Sequence, residues 1–180
     1  MWRTFREGKR VVVAVLPGRF DPVTYGHLDV ITRANFLFDR VIVGVRPAPE
    51  ENLLFSLNER IKMLEHLTRE LSSVIVLPCC EPVLDFARKY RARVIIRGLR
   101  SFSDFEMEFE RAKLNKELVP EIETLFITCR PELFYTSEMV KEIAAFGGNI
   151  GHLVPPYIET RVFEKMALAQ EQKEARTVKV

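Results

Sequence analysis

Leu16-Pro17-Gly18-Arg19-Phe20-Asp21-Pro22-Val23-Thr24-Tyr25-Gly26-His27 is the stretch on which the fold turns. It leaves a continuously apolar run, VVVAVL over residues 11–16, of the kind that a strand buried on both faces carries. Pro17-Gly18 ends that strand sharply, and a glycine there lets backbone come close to a ligand. Beyond it Leu28, Ile31, Ala34 and Phe38 recur at near-helical spacing, so residues 26–38 form a helix that Gly26 and His27 open. The unpaired N–H groups and the positive dipole end of a helix start favour an anion. Gly26 clears the approach, and His27 has a ring N–H to give to a phosphate oxygen. Strand, glycine turn and helix start together predict a phosphate site.

The same alternation continues along the chain. Strands are expected at 41–45 (VIVGV), 74–77, 94–96 and 123–128 (ETLFIT), and helices at 56–71, 83–90, 103–118, 136–146 and 155–169. Ser56-Leu57-Asn58-Glu59 and Ser103-Asp104-Phe105-Glu106 each have the spacing of a capping box, in which the serine accepts from backbone and the acid reaches back. Gly147-Gly148 supplies the left-handed stop of the 136–146 helix. Five strand–helix repeats predict an α/β, Rossmann-like, doubly wound five-stranded parallel sheet with helices on both faces, in a single domain over 11–165. A basic extension precedes it over 1–10, and a charged tail follows over 166–180, frayed beyond Glu171.

Composition narrows the function classes. A net charge of +2 is too small to mark a nucleic-acid surface, and no apolar run nears the ~20 residues that span a bilayer. Residues 1–10 hold four Arg or Lys but no apolar h-region, so they do not read as a secretory signal. Cys79, Cys80 and Cys129 form no C-x-x-C pair; buried or half-buried free thiols and a reducing cytoplasm are expected.

In open α/β sheets ligands bind beyond the carboxyl ends of the strands, and the unusual residues of this chain lie in those loops. Arg97-Gly98-Leu99-Arg100 follows the fourth strand, two guanidinium groups flanking a glycine and suited to bidentate phosphate contact. Glu108 lies within the first two turns of the next helix, where it can face a ribose or a metal-bound water or simply solvent. Tyr135-Thr136-Ser137-Glu138 begins a helix after the fifth strand, with hydroxyls able to cap it and to reach a triphosphate.

The P-G-x-F-D-P-x-x-x-G-H string, R-G-L-R with D-F-E-x-E soon after, and Val140-Lys141-Glu142 stand in the order and at the intervals of one family. From about Val11 to Lys165 the chain resembles the bacterial phosphopantetheine adenylyltransferases, of the nucleotidylyltransferase superfamily with an (H/T)-x-G-H signature. T-x-G-H alone names only the superfamily; R-G-L-R followed by D-F-E-x-E is far more specific. The resemblance implies transfer of AMP from ATP, with Mg2+, to 4′-phosphopantetheine, giving dephospho-CoA and pyrophosphate. It also implies a cytoplasmic homohexamer whose ligands are ATP, 4′-phosphopantetheine and dephospho-CoA or CoA, with neither nucleic acid nor membrane as partner.

Carried over by motif, His27 stabilises the pentacoordinate transition state, with Arg19 and Arg100 as the other members of the catalytic set. ATP is held by Gly18, Arg19, Phe20, His27, by Gly98, Leu99, Arg100 and Glu108, and by Glu132-Leu133-Phe134-Tyr135-Thr136-Ser137-Glu138. Arg19, Glu51, Val83 and Arg97 fall on the acceptor side, and no residue is assigned as a metal ligand.

Three positions leave the family pattern. Arg19 stands where Ser or Thr is usual, Glu51 stands by register where a Lys is usual, and Thr136-Ser137-Glu138 replaces S-S-S or S-S-T. A hydroxyl and a Lys would bring one positive charge at the first two positions, whereas Arg19 and Glu51 bring none. A carboxylate beside a triphosphate is unfavourable by roughly several kcal/mol at an effective dielectric of ~20, unless it turns away or holds a metal. Arg19 either takes over the lysine's role, with Glu51 swung out or paired to it and Arg46 as a further cation, or the site has changed. On the second reading the chain is a diverged transferase with another phosphate acceptor, or a catalytically weak or silent CoA- or nucleotide-binding protein.

Overall fold

Successive side chains of a strand face opposite ways, and in this chain both faces of the central strands are apolar. The computed structural model describes residues 11–49 and 53–177. The basic extension, Glu50 to Asn52 and the last three residues lie outside them, and the acceptor-side expectation for Glu51 with them. Strands β1 (Val13–Gly18), β2 (Arg40–Val45), β3 (Val74–Pro78), β4 (Val94–Leu99) and β5 (Glu123–Thr128) form one parallel sheet in the order β3-β2-β1-β4-β5.

The alternation is visible residue by residue. Ala14, Leu16, Val41, Val43, Val94 and Ile96 enter one core, while Val15, Ile42 and Ile95 enter the other. On the first face lie α1 (Tyr25–Leu37), α2 (Leu57–Thr68), α5 (Ser137–Ala145) and α6 (Pro156–Thr177), which contribute Ile31, Leu64, Val140 and Ile158. On the second, α3 (Val83–Lys89) contributes Phe86 and Ala87, and α4 (Phe102–Leu118) leads into Val119 and Ile122. Along α4 itself Glu108 is buried, whereas Phe102, Met107 and Phe109 are exposed.

The Ser56–Glu59 capping box forms as expected, and Gly147 (φ +72°) and Gly148 donate back to Ala144 and Ile143 to close α5. Three expectations are corrected. β4 runs on through Arg97 and Gly98 to Leu99, because β5 keeps pairing with it to Leu99↔Thr128. α4 is capped by Ser101, whose hydroxyl accepts from the Asp104 N–H, while Ser103 Oγ lies 2.8 Å from Ser101 Oγ and caps nothing. The tail is not frayed at Glu171: α6 continues to Thr177 through MALAQEQKEART, a run rich in helix formers that holds neither Gly nor Pro.

Candidate active site

β1 and β4 are neighbours from which the chain runs off in opposite directions, and a crevice opens beyond their carboxyl ends. There lies a cleft of about 560 Å³, with Pro17 and Gly18 from β1, Arg97 and Gly98 from β4, the first turn of α1, and parts of α4 and α5 in its wall. The turn after β1 is built around Phe20, which takes φ +56° and folds its ring back over the strand end, 2% exposed. Left-handed backbone at a bulky residue costs on the order of 1–2 kcal/mol, so surrounding structure must hold it. A Cβ on Gly18 would stand 2.7 Å from that ring, so this glycine makes room for Phe20. Gly26 serves a close backbone approach too: a Cβ there would meet the Leu133 carbonyl oxygen at 2.8 Å, so it admits the 131–133 turn as well as any anion.

Two buried polar residues secure the turn. The Asp21 carboxylate accepts from Leu54 N and Phe55 N, each at 2.9 Å, and pairs with Lys141 Nζ at 3.2 Å. Arg60, fully buried on α2, donates to the carbonyls of Arg19 (2.5 Å), Arg46 (2.9 Å) and Phe55 (3.0 Å). One guanidinium thereby ties the loop after β1 to the loop after β2.

His27 is the third residue of α1, and Thr24 is its cap. The Thr24 N–H donates to Nδ1 of the half-buried ring at 3.0 Å, and the Thr24 hydroxyl lies 3.1 Å from the same atom. An Nδ1 that accepts a backbone N–H carries no proton, so the neutral ring carries its proton on Nε2. Desolvation, and then the Arg100 charge, lower its pKa from 6.5 to about 4, with Glu138 acting the other way. At neutral pH His27 is therefore an uncharged donor of Nε2–H in the wall of the cleft. Phe20 packs edge-on against it at 5.0 Å.

Arg97, Arg100, Arg111 and Arg19 of the cleft are each held by an acid. Arg97 donates Nε and Nη2 to Glu108 at 2.6 and 2.5 Å and Nη1 to the Pro17 carbonyl at 3.1 Å. Arg111 adds a third donor to Glu108 at 2.8 Å. Glu108 is thus turned to Arg97 rather than left facing solvent. Arg100 is bound through N and Nε to Asp104, both at 3.1 Å. Arg19 Nη2 lies 3.4 Å from Glu138 Oε1, and both side chains are largely exposed. Two of the three departures thus face each other. Among the described residues no group of three or more His, Cys, Asp or Glu is placed to hold a metal ion.

The cleft brings together Gly18, Arg19, Phe20, His27, Arg97, Gly98, Arg100 and Glu108 with Tyr135, Ser137 and Glu138. Other expected residues lie elsewhere. Leu99 is buried, Val83 packs against the second core, and Glu132, Leu133 and Phe134 are outside the cleft wall. Thr136 caps α5, accepting from Met139 N at 3.1 Å and keeping its own proton to give, whereas Ser137 Oγ donates to the Pro22 carbonyl at 2.8 Å, so its proton is committed within the fold. Arg111 and the Arg60 clamp belong to no motif of the sequence, and Lys141, though part of Val140-Lys141-Glu142, carries no expected role in the site. For Arg60 a signal existed, since it shares the buried stripe of Met63 and Leu64 at helical spacing.

Residues 15–143 match the family model for cytidylyltransferase-like proteins. A phosphopantetheine adenylyltransferase of Heliobacterium modesticaldum is 44% identical over 156 residues, which are 86% of this chain and 93% of that protein. One from Caldanaerobacter subterraneus is 46% identical over 154 residues, 85% and 96% of the two chains, and one from Thermosynechococcus vestitus is 49% identical over 145 residues, 80% and 86%. Among solved structures, a candidate nicotinate-nucleotide adenylyltransferase from Vibrio parahaemolyticus has a TM-score of 0.64 over 87% of this chain and 95% of its own, at 15% identity, a likeness that carries the fold alone. Identity at this level along most of both chains, on a sheet whose crevice holds the glycine turn, His27 and the R-G-L-R strand end, places the chain in the phosphopantetheine adenylyltransferase family.

Proposed function

We infer that this protein transfers AMP from ATP to 4′-phosphopantetheine, yielding dephospho-CoA and pyrophosphate. The observation that carries it is the state of His27: a neutral Nε2–H donor at the start of α1, at the crevice between β1 and β4, with Arg100 close enough to depress its pKa. A phosphate oxygen of the acceptor attacks the α-phosphorus in line, the new P–O bond forms, and the bond to the β-phosphate oxygen breaks. No covalent enzyme intermediate is needed, so catalysis reduces to positioning and to stabilising the charge that builds on the α-phosphoryl oxygens. An uncharged His27 keeps its proton through the step and donates a hydrogen bond that strengthens as that charge grows.

Arg97, held by Glu108 and Pro17, supports a fixed anion contact; Arg100 and Lys141 line the same wall. The cleft carboxylates are engaged with cations, so Mg2+ enters as part of the MgATP substrate, held by phosphate oxygens. Among the described residues no helix is long and apolar enough to cross a membrane. A cytoplasmic homohexamer is the assembly that the family membership supports, and the exposed Phe102, Met107 and Phe109 of α4 are apolar surface available to an interface.

The test is pyrophosphate release on mixing the folded protein with MgATP and 4′-phosphopantetheine. Turnover is expected, and His27→Ala should lower it by ~10²–10³ with little change in ATP binding, as loss of a transition-state donor does. No turnover above background would overturn the reading, and ATP binding without turnover would make the chain a nucleotide-binding relative.

A further inference from the structure

The cation–carboxylate pairs of the cleft differ in how firmly they are closed. Arg97 and Glu108 share two contacts at 2.5 and 2.6 Å, with side chains only 22% and 11% exposed. Arg100 and Asp104 are bound through both backbone and side chain. Arg19 and Glu138 make one contact of 3.4 Å, with side chains 58% and 61% exposed. They join the turn after β1 to the first turn of α5, 119 residues apart. The Arg60 clamp fixes the Arg19 backbone through its carbonyl, so the side chain alone is free to change partner.

Each end of this pair also sits where a nucleotide's phosphates would compete. Arg19 follows Gly18 in the glycine turn, and Glu138 occupies a helix start, where a carboxylate takes the place an anionic ligand would otherwise fill. We propose that Arg19 and Glu138 form a latch across the cleft, which the phosphates of a nucleoside triphosphate open by taking the Arg19 guanidinium from the Glu138 carboxylate. Glu138 is then a positioning residue: it keeps Arg19 over the empty cleft and sets how tightly a triphosphate must bind to claim it. Guanidinium is suited to the exchange, since carboxylate and phosphate offer it the same paired oxygens. This inference rests on the reading of the cleft as an ATP site.

A double-mutant cycle on ATP affinity tests it, measured by calorimetry with MgATP and no acceptor, on wild type, Glu138→Gln, Arg19→Ala and the double variant. Both positions are exposed, so the fold is expected to tolerate all three changes. Opening an exposed pair should cost a factor of roughly two to five. Glu138→Gln should therefore tighten ATP by about that factor while Arg19 is present, and by less than about 1.5-fold once Arg19 is Ala. Arg19→Lys, which keeps the charge but not the fork, should retain part of the coupling. An equal or larger gain in the Arg19→Ala background would mean that Glu138 only repels phosphate, and would overturn the latch. So would weaker ATP binding by Glu138→Gln. If ATP binds the wild type and the cycle is additive, the latch alone fails; if the wild type neither binds ATP nor turns over, the ATP-site reading fails and takes the latch with it.

Discussion

The depressed pKa of His27 has a consequence for stability that can be worked through with its sign. In the folded chain the ring titrates at about 4, because it is desolvated and faces Arg100; in the unfolded chain it titrates near 6.5. Between those values the unfolded state binds a proton that the folded state refuses, so stability falls as pH drops from about 6.5 to about 4 and is regained as pH rises. With these two pKa values, moving from pH 7 to pH 5 removes about 2 kcal/mol through this ring alone, and the full loss below pH 4 is ~3 kcal/mol. The comparison that isolates it is urea unfolding of wild type and His27→Gln at both pH values, at one fixed protomer concentration. The wild type should lose about 2 kcal/mol more than the variant over that interval. Histidine-selective 15N NMR should show the Nε2–H tautomer at pH 7 and a midpoint well under 5. Equal losses for the two proteins, or a midpoint near 6.5, would refute the account of the ring as an uncharged donor. The barrier argument would go with it, since a charged imidazole would bind the triphosphate in the ground state as well as in the transition state.

Three further outcomes follow from the geometry. Gly26→Ala pushes a methyl to 2.8 Å from the Leu133 carbonyl oxygen, and a backbone shift there should cost about 1–3 kcal/mol, seen as a Tm lower by roughly 2–10 °C. Arg60→Met orphans the carbonyls of Arg19, Arg46 and Phe55 and should destabilise by about 3 kcal/mol in urea unfolding, with Arg60→Lys giving little rescue because one ammonium does not reproduce the fork. Glu108→Gln takes the bidentate acceptor from Arg97, and the KM for the phosphate acceptor should rise about tenfold, corresponding to ~1.4 kcal/mol, while ATP affinity changes little. An unchanged acceptor KM would place Arg97 outside the acceptor's reach.

What was legible in the sequence is what local chemistry decides. The apolar run of β1 announces a strand with both faces buried, and Ser56–Glu59 and Gly147-Gly148 are caps whose partners lie within five residues along the chain. At the start of α4, Ser101…Asp104 and Ser103…Glu106 are overlapping Ser-x-x-acid frames two residues apart. Asp104 settles the frame by bonding the Arg100 N–H, a choice that depends on where β4 lets go. Arg97 and Gly98 look unlike a buried strand, yet β4 runs through them; its end borders the cleft, where pairing with Glu108 offsets the desolvation of the half-buried Arg97 guanidinium. The acid–base pairs were out of reach for a different reason. Asp21–Lys141 and Arg19–Glu138 join residues 120 and 119 positions apart, and no periodicity encodes such a meeting.

The Arg19–Glu138 contact also changes how the departures from the family pattern add up. Taken along the chain, Arg19 invites pairing with Glu51, as though one charge had migrated from a lysine position to a hydroxyl position. In space, Arg19 and Glu138 replace two hydroxyl residues with opposite charges that meet, so the pair leaves the charge of the cleft where two hydroxyls would have left it. A neutral exchange of this kind need not weaken phosphate binding overall. It makes part of the positive charge conditional, present for a ligand that outcompetes a carboxylate and hidden from one that does not. Arg46 in the same wall then carries standing attraction for phosphate, while Arg19 responds to what has arrived. Replacement of the family's serine by Glu138 therefore does not count against an ATP site unless Arg19 is left out of the reckoning.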